Sequence, residues 1–166
     1  MSDDEIKACF KENTKLVFGE TIANPALTVF DIERFANIAH AMGVPLIVDN
    51  TFATPILCKP FDFGADIVVH STSKYMDGHA MALGGCIVDS GNFDWNAHAE
   101  KFPGLTTPDE TYHGVVYTER FGKKDFITKA TAQLMRDLGS IPSPMNSFLL
   151  NVGLETLPLR LSLIHI

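Results

Sequence analysis

The chain has 166 residues, of which 46% are hydrophobic and 20% charged, a balance that excludes disorder and collagen-like order and suits one domain or part of a larger one. Its formal charge of −7 argues against a nucleic-acid partner, because phosphate backbones select basic surfaces, and leaves a small molecule as the default ligand.

Residues 3–12 read as a short helix, with Ser2 as cap and Ile6 and Phe10 at i, i+4 spacing. Residues 15–20 read as a strand ending at Gly19 and Glu20. Asp31 then opens an amphipathic helix with Ile32, Phe35, Ala36, Ile38 and Ala39 on its buried side, and Gly43 follows its end. Residues 45–49 form a continuous apolar run closed by Asp49, the pattern of a strand buried on both faces. A second such run, 66–70, leads into Ser71, and residues 84–89 give a third apolar strand. Strand, helix, strand and strand in this order predict a mostly parallel sheet with crossovers. From Ser90 to about Gly114 the Pro, Gly, Thr and Asn content reads as a long loop, the kind that tends to be functional. Residues 115–138 read as helical with a break near Gly122 and a stop at Gly139. Residues 143–157 read as the start of another helix, with Pro144 in its first turn. The last residues, 161–166, form an apolar tail without a capping signal and read as a truncation or a non-native scar.

Cys9, Cys58 and Cys86 are widely spaced and fall in no C-x-x-C pattern, so no metal site is expected and the three read as core residues in a reducing compartment. The acidic start, Met1 to Glu5, lacks the basic and then apolar course of a secretory signal. No stretch approaches the roughly 20 apolar residues of a membrane span. A cytoplasmic location with no membrane partner is the expectation.

Ligands of parallel sheets collect at the carboxyl ends of strands, so Asp49 and the segment Ser71-Thr72-Ser73-Lys74 are expected on one edge. Hydroxyls and N–H groups of such a turn suit a phosphate, and the neighbouring amine can form an imine with an aldehyde. Pyridoxal phosphate has both groups, together with a pyridine nitrogen that needs an anionic partner such as Asp49. A free Lys74 beside the same carbons would serve as a general base. Other readings stay open on spacing alone. A Lys after a Ser-rich turn also occurs as a solvated surface residue or in serine acylases, and an Asp after a strand commonly caps the next turn.

The string VDNTFATPILCKPFDFGADIVVHSTSKYMDGH, residues 48–79, resembles the signature of the Cys/Met-metabolism family of pyridoxal-phosphate enzymes. GETIANP, residues 19–25, and RDLGSIPSPMNSFLLNVGLETLPLR, residues 136–160, are similar to flanking segments of the same family, so the resemblance covers nearly the whole chain up to Arg160. It implies an α/β fold of three layers, α/β/α, like aspartate aminotransferase (fold type I). Residues 1–140 would be the central and later part of the large domain, and residues 141–160 the start of the helix leading to a C-terminal domain. It further implies that Lys74 holds pyridoxal 5'-phosphate as a Schiff base, that Asp49 pairs with the pyridine nitrogen, and that Ser71 and Ser73 bind phosphate. Asn24 would lie near the phenolic oxygen or the substrate carboxylate, and Thr51 beside the ring; as plain residues, Asn24 reads as a turn before Pro25 and Thr51 as a cap.

Residues 102–122, FPGLTTPDETYHGVVYTERFG, look like the O-acetylhomoserine sulfhydrylase branch, which replaces acetate by sulfide or methanethiol on a four-carbon amino acid. A lyase or synthase acting on cystathionine or methionine is the nearest alternative, and a catalytically silent domain is the alternative of another class. His79, His98 and His113 are candidate proton carriers, although loop histidines are commonly solvated or packed. The family also implies a homo-oligomer and an amino-acid substrate. Relatives keep a glycine-rich phosphate turn, a ring-stacking tyrosine and a substrate-binding arginine outside the stretch present here, so the chain alone is expected to be a poor catalyst.

Overall fold

In the computed structural model, which describes residues 1–164, the first helix α1 spans Asp3–Ala8. The Ser2 hydroxyl accepts the Glu5 N–H while the Glu5 carboxylate accepts the Ser2 N–H, so two end donors are satisfied reciprocally. The helix is shorter than the predicted 3–12 because the Cys9 N–H already closes it on the Ile6 carbonyl. Strand β1 is Val17–Glu20. Helix α2, Ile32–Ala41, starts where Asp31 accepts the Arg34 N–H, and Gly43 turns the chain away at φ +66°. Strand β2 is Leu46–Asp49, followed by the single turn α3, Thr54–Leu57, and a 3-10 turn, Pro60–Phe63. Strands β3, Ile67–Ser71, and β4, Gly85–Asp89, complete a sheet of four strands in the order β1-β2-β3-β4.

The first three strands are parallel, and β4 is antiparallel to β3, with Ser71 opposite Gly85. The third apolar run forms the expected strand; Ile87 and Val88 are 49% and 42% exposed on it, and β4 is an edge strand paired with β3 alone among the described residues.

Strand alternation sends side chains to two cores. Leu46, Val48 and Val68 pack with Ile32, Ala36 and Ala39 of α2 on one face. Ile47 and Ile67 face Trp95, Leu105 and Tyr117 on the other. The segment predicted as a loop after Ser90 supplies much of this second covering layer. It contains a 3-10 turn, Asn96–His98, the short helix α4, Pro103–Thr106, and a second 3-10 turn, Glu110–Tyr112. Phe93, Trp95 and Phe102 meet edge to face there, an arrangement their ring quadrupoles favour.

The predicted helix over 115–138 is divided into α5, Tyr117–Phe121, α6, Asp125–Lys129, a π-helical stretch, Ala130–Met135, and α7, Arg136–Leu138. Gly122 makes the break at φ +52°, and Gly139 the stop at φ +71°.

Helix α8 spans Pro144–Ile164 and continues beyond the stretch 143–157 read as its start. Pro158 removes one backbone donor without ending it. Residues 161–164 of the expected tail continue this helix, and Leu161 is 3% exposed against Met76 and Leu157. His165 and Ile166 lie outside the described residues. By length and composition α8 is long and apolar enough to cross a membrane, contrary to the sequence expectation, yet Gly153, Leu157 and Leu161 are packed against the protein. The cysteines also differ from expectation. Cys9 ends α1 in solvent and is exposed, while Cys58 and Cys86 are half-buried, the latter on the edge strand.

Candidate active site

Parallel pairing brings the carboxyl ends of the strands to one edge of the sheet. Glu20 is in register with Asp49, and Ser71 closes the neighbouring strand. A cavity of about 590 Å³ opens over this edge, within the roughly 300–1,000 Å³ range of small-molecule sites. Asn24, Asp49, Thr51, Ser71, Ser73 and Lys74 all line it, so the six residues singled out in the sequence share one space.

Local hydrogen bonds fix several of them. Asp49 Oδ1 accepts the Thr51 N–H at 2.8 Å, and Thr51 Oγ1 accepts the Ser71 N–H at 2.7 Å, so the threonine pins the ends of β2 and β3 together. Ser73 Oγ accepts the Gly84 N–H at 2.9 Å and donates to the Gly84 carbonyl at 3.2 Å, which closes the 72–84 segment on itself at the start of β4. Lys74 sits in the turn between, its carbonyl accepting the Gly78 N–H at 2.8 Å. The Asn24 N–H donates to Glu20 Oε2 at 2.9 Å.

Two buried groups support this edge from below. Asp77 is fully buried and accepts the N–H groups of Met81 and His79 at 3.1 and 3.2 Å. The Met81 N–H above all holds its carboxyl below the usual carboxylate range, against the opposing effect of burial. His70 lies behind Ser71, and desolvation pushes its imidazole below its ordinary value despite the nearby Asn50 carbonyl and Asp49 charge.

Glu20, Ile22, Phe52, Tyr75, Gly78 and Ala80 also line the cavity and were not singled out in the sequence. Glu20 carried a usable signal, since it ends a strand of the parallel set as Asp49 does. Phe52 and Tyr75 meet edge to face with centroids 5.8 Å apart, a contact made only by the fold. The three candidate histidines are elsewhere. His79 Nδ1 faces the Asp77 carbonyl at 2.7 Å, His98 packs on Phe93, and His113 occupies a left-handed turn at φ +59°.

An amine, two carboxylates and a pair of serine hydroxyls around one cavity can together engage a ligand that bears an aldehyde, a basic nitrogen and a phosphate.

Comparisons with known proteins find relatives along nearly the whole chain. The chain is 48% identical over 158 residues to a homocysteine/cysteine synthase of Saccharomyces cerevisiae, covering 95% of the chain and 36% of that protein. It is 42% identical to an O-acetyl-L-homoserine sulfhydrylase of Leptospira meyeri, over 96% of the chain and 38% of the relative. A solved Campylobacter jejuni structure containing N'-pyridoxyl-lysine-5'-monophosphate superposes with a TM-score of 0.86 at 36% identity, over 95% of the chain and 39% of its own. The O-acetylhomoserine sulfhydrylase structure of Wolinella succinogenes gives 0.79 at 35% identity, over 95% of the chain and 41% of its own. The chain thus spans little more than a third of the length of these relatives, and its sheet with helices on both faces is part of a fold-type-I, α/β/α large domain. A model of the Cys/Met metabolism PLP-dependent enzymes matches residues 1–165, and the chain belongs to that family.

Proposed function

We propose that the cavity holds pyridoxal 5'-phosphate and that the protein performs gamma-replacement on O-acetylhomoserine, exchanging acetate for sulfide or methanethiol to give homocysteine or methionine. The observation that carries this reading is the meeting of Lys74, Asp49, Ser71 and Ser73 around one cavity at the strand ends. The donor set fits the cofactor: the Lys74 amine for its aldehyde, the Asp49 carboxylate for its ring nitrogen, and for its phosphate the Ser71 hydroxyl and the Ser73 hydroxyl, the latter turning from its 3.2 Å bond to the Gly84 carbonyl. Bound there, the cofactor supplies an electron sink for negative charge at the substrate's alpha and beta carbons.

The chain's own residues do the rest. Lys74 Nζ, freed by the incoming substrate amine, moves the proton at the alpha carbon. Asp49, whose Oδ1 accepts the Thr51 N–H, lines the cavity and would face the ring nitrogen. Asn24, whose backbone is tied to Glu20 and which lines the cavity, would offer its amide to the phenolic oxygen or the substrate carboxylate. Thr51, while pinning two strands, would lie beside the ring. Residues 1–140 form the central and later part of the large domain in this reading, and 141–160 begin the link to a C-terminal domain. A homo-oligomer in the cytoplasm, with an amino-acid substrate and neither nucleic acid nor membrane as partner, completes it. The sulfhydrylase names of the similar proteins support the choice of reaction.

The test has two parts. Pyridoxal phosphate added to the chain is expected to give absorbance near about 420 nm and, after borohydride reduction, a mass label on Lys74 that Lys74→Ala abolishes. A chimera placing this chain in the frame of a full-length relative is expected to form homocysteine from O-acetylhomoserine and sulfide. No label on Lys74 overturns the cofactor site; ketoacid release from methionine without homocysteine formation overturns the reaction.

A further inference from the structure

Helix α8 hydrogen-bonds the backbone just after Lys74 through Arg160. Arg160 is held on its own helix by two acceptors: its Nε donates to Thr156 Oγ1 at 3.0 Å and its Nη2 to the Gly153 carbonyl at 2.8 Å. Nη1 donates to the Tyr75 carbonyl at 2.7 Å, and Nη2 also approaches the Met76 carbonyl at 3.5 Å. Those carbonyls belong to the residues that directly follow Lys74. A guanidinium is a rigid planar fork, so one that bridges a helix and a turn fixes their relative position more firmly than a flexible ammonium would.

Two glycines permit the approach. A Cβ at Gly153 would collide with the Asp77 and Met76 carbonyl oxygens, and one at Gly78, where φ is +72°, would stand 2.5 Å from Arg160 Cζ. Beneath the contact, Met76, Leu157 and Leu161 form an apolar cluster with exposures of 9%, 2% and 3%. Lys74 therefore lies between two anchors, Ser73 bound to Gly84 on one side and the Tyr75 carbonyl bound to Arg160 on the other.

We propose that Arg160 is a positioning residue for Lys74: its guanidinium holds the Tyr75–Met76 backbone so that the lysine amine stays directed at the cavity. This rests on the reading that Lys74 carries the cofactor, and it deepens that reading by making α8 a determinant of how the amine is presented.

Hydrogen exchange on the chain without cofactor tests the anchor by itself. In Arg160→Gln the amides of residues 75–79 should exchange about tenfold faster, while those of β2 and β3 keep their protection. Arg160→Lys should recover part of the loss. With pyridoxal phosphate added, Arg160→Gln should also take less borohydride-fixed label on Lys74 and shift the pH at which the lysine adduct's absorbance titrates. Unchanged exchange and an unchanged titration overturn the inference. So does loss of protection across the whole sheet, or failure of both variants to fold, since either makes Arg160 a general structural support. If wild-type Lys74 takes no label, the cofactor reading fails, and the exchange at residues 75–79 still decides the role of Arg160.

Discussion

Asn50, one residue beyond Asp49, has none of its surface exposed and uses both ends of its amide. Its Oδ1 accepts the Thr21 hydroxyl at 2.7 Å and its Nδ2 donates to the Cys58 carbonyl at 2.9 Å. It thereby joins the exits of β1 and β2 to the end of α3, directly behind the cavity wall. An apolar replacement leaves the Thr21 hydroxyl with only its longer 3.3 Å bond to the Asp49 carbonyl and removes the Asn50 donor from the half-buried Cys58 carbonyl. Asn50→Ala should therefore cost about 1–3 kcal/mol of stability, read as a lower urea midpoint at unchanged slope. Nothing local in the sequence marks this residue, because its partners lie 29 and 8 positions away and come together only through strand register.

At the scale of elements, the turn at Glu110–Tyr112 is tied to α6 by one ion pair. Lys129 Nζ donates to Asp109 Oδ2 at 2.6 Å, and Asp109 also accepts from the Thr111 hydroxyl and N–H. The Lys129 contact, then the Thr111 hydroxyl, lower the Asp109 carboxyl from 3.8 to about 2. A folded value below the unfolded one gives stability that is fully present above pH 3.8 and is lost as pH falls through about 2. Acid titration of the folded chain should show this loss, and Asp109→Asn should flatten that limb while lowering stability at neutral pH.

The elements that were legible are those with local signals. α2 shows helical periodicity between Asp31 and Gly43, and β2 and β3 are apolar runs closed by Asp49 and Ser71. The six cavity residues were legible because strand ends and a recognisable string coincide there. The covering layer after Ser90 was not. Phe93, Trp95 and Phe102 are irregularly spaced, and their short turns carry no period of helix or strand. The direction of β4 was also hidden, since an apolar run reads alike in either orientation. The packing of Leu157 and Leu161 carries α8 past Pro158.

For the whole molecule, the two cores meet across a sheet whose strands contribute to both. The chain's single tryptophan, Trp95, lies at the centre of one layer, stacked on Phe126 and 6% exposed. Its fluorescence reports that layer, while far-UV circular dichroism reports helices of both. A shared sheet predicts coincident urea curves for the two signals, as one cooperative unit gives. A fluorescence transition well below the dichroism midpoint would mean that the aromatic layer melts independently.

The reversed direction of β4 has a last consequence. Because Ser71 faces Gly85, the span bearing Lys74 departs from and returns to the same rim, like a handle with both feet on one board. A parallel fourth strand would need a crossover passing beneath the sheet. Lengthening or shortening this handle alters the reach of the amine while every strand pairing survives, so the platform and the lysine it presents can be tuned apart.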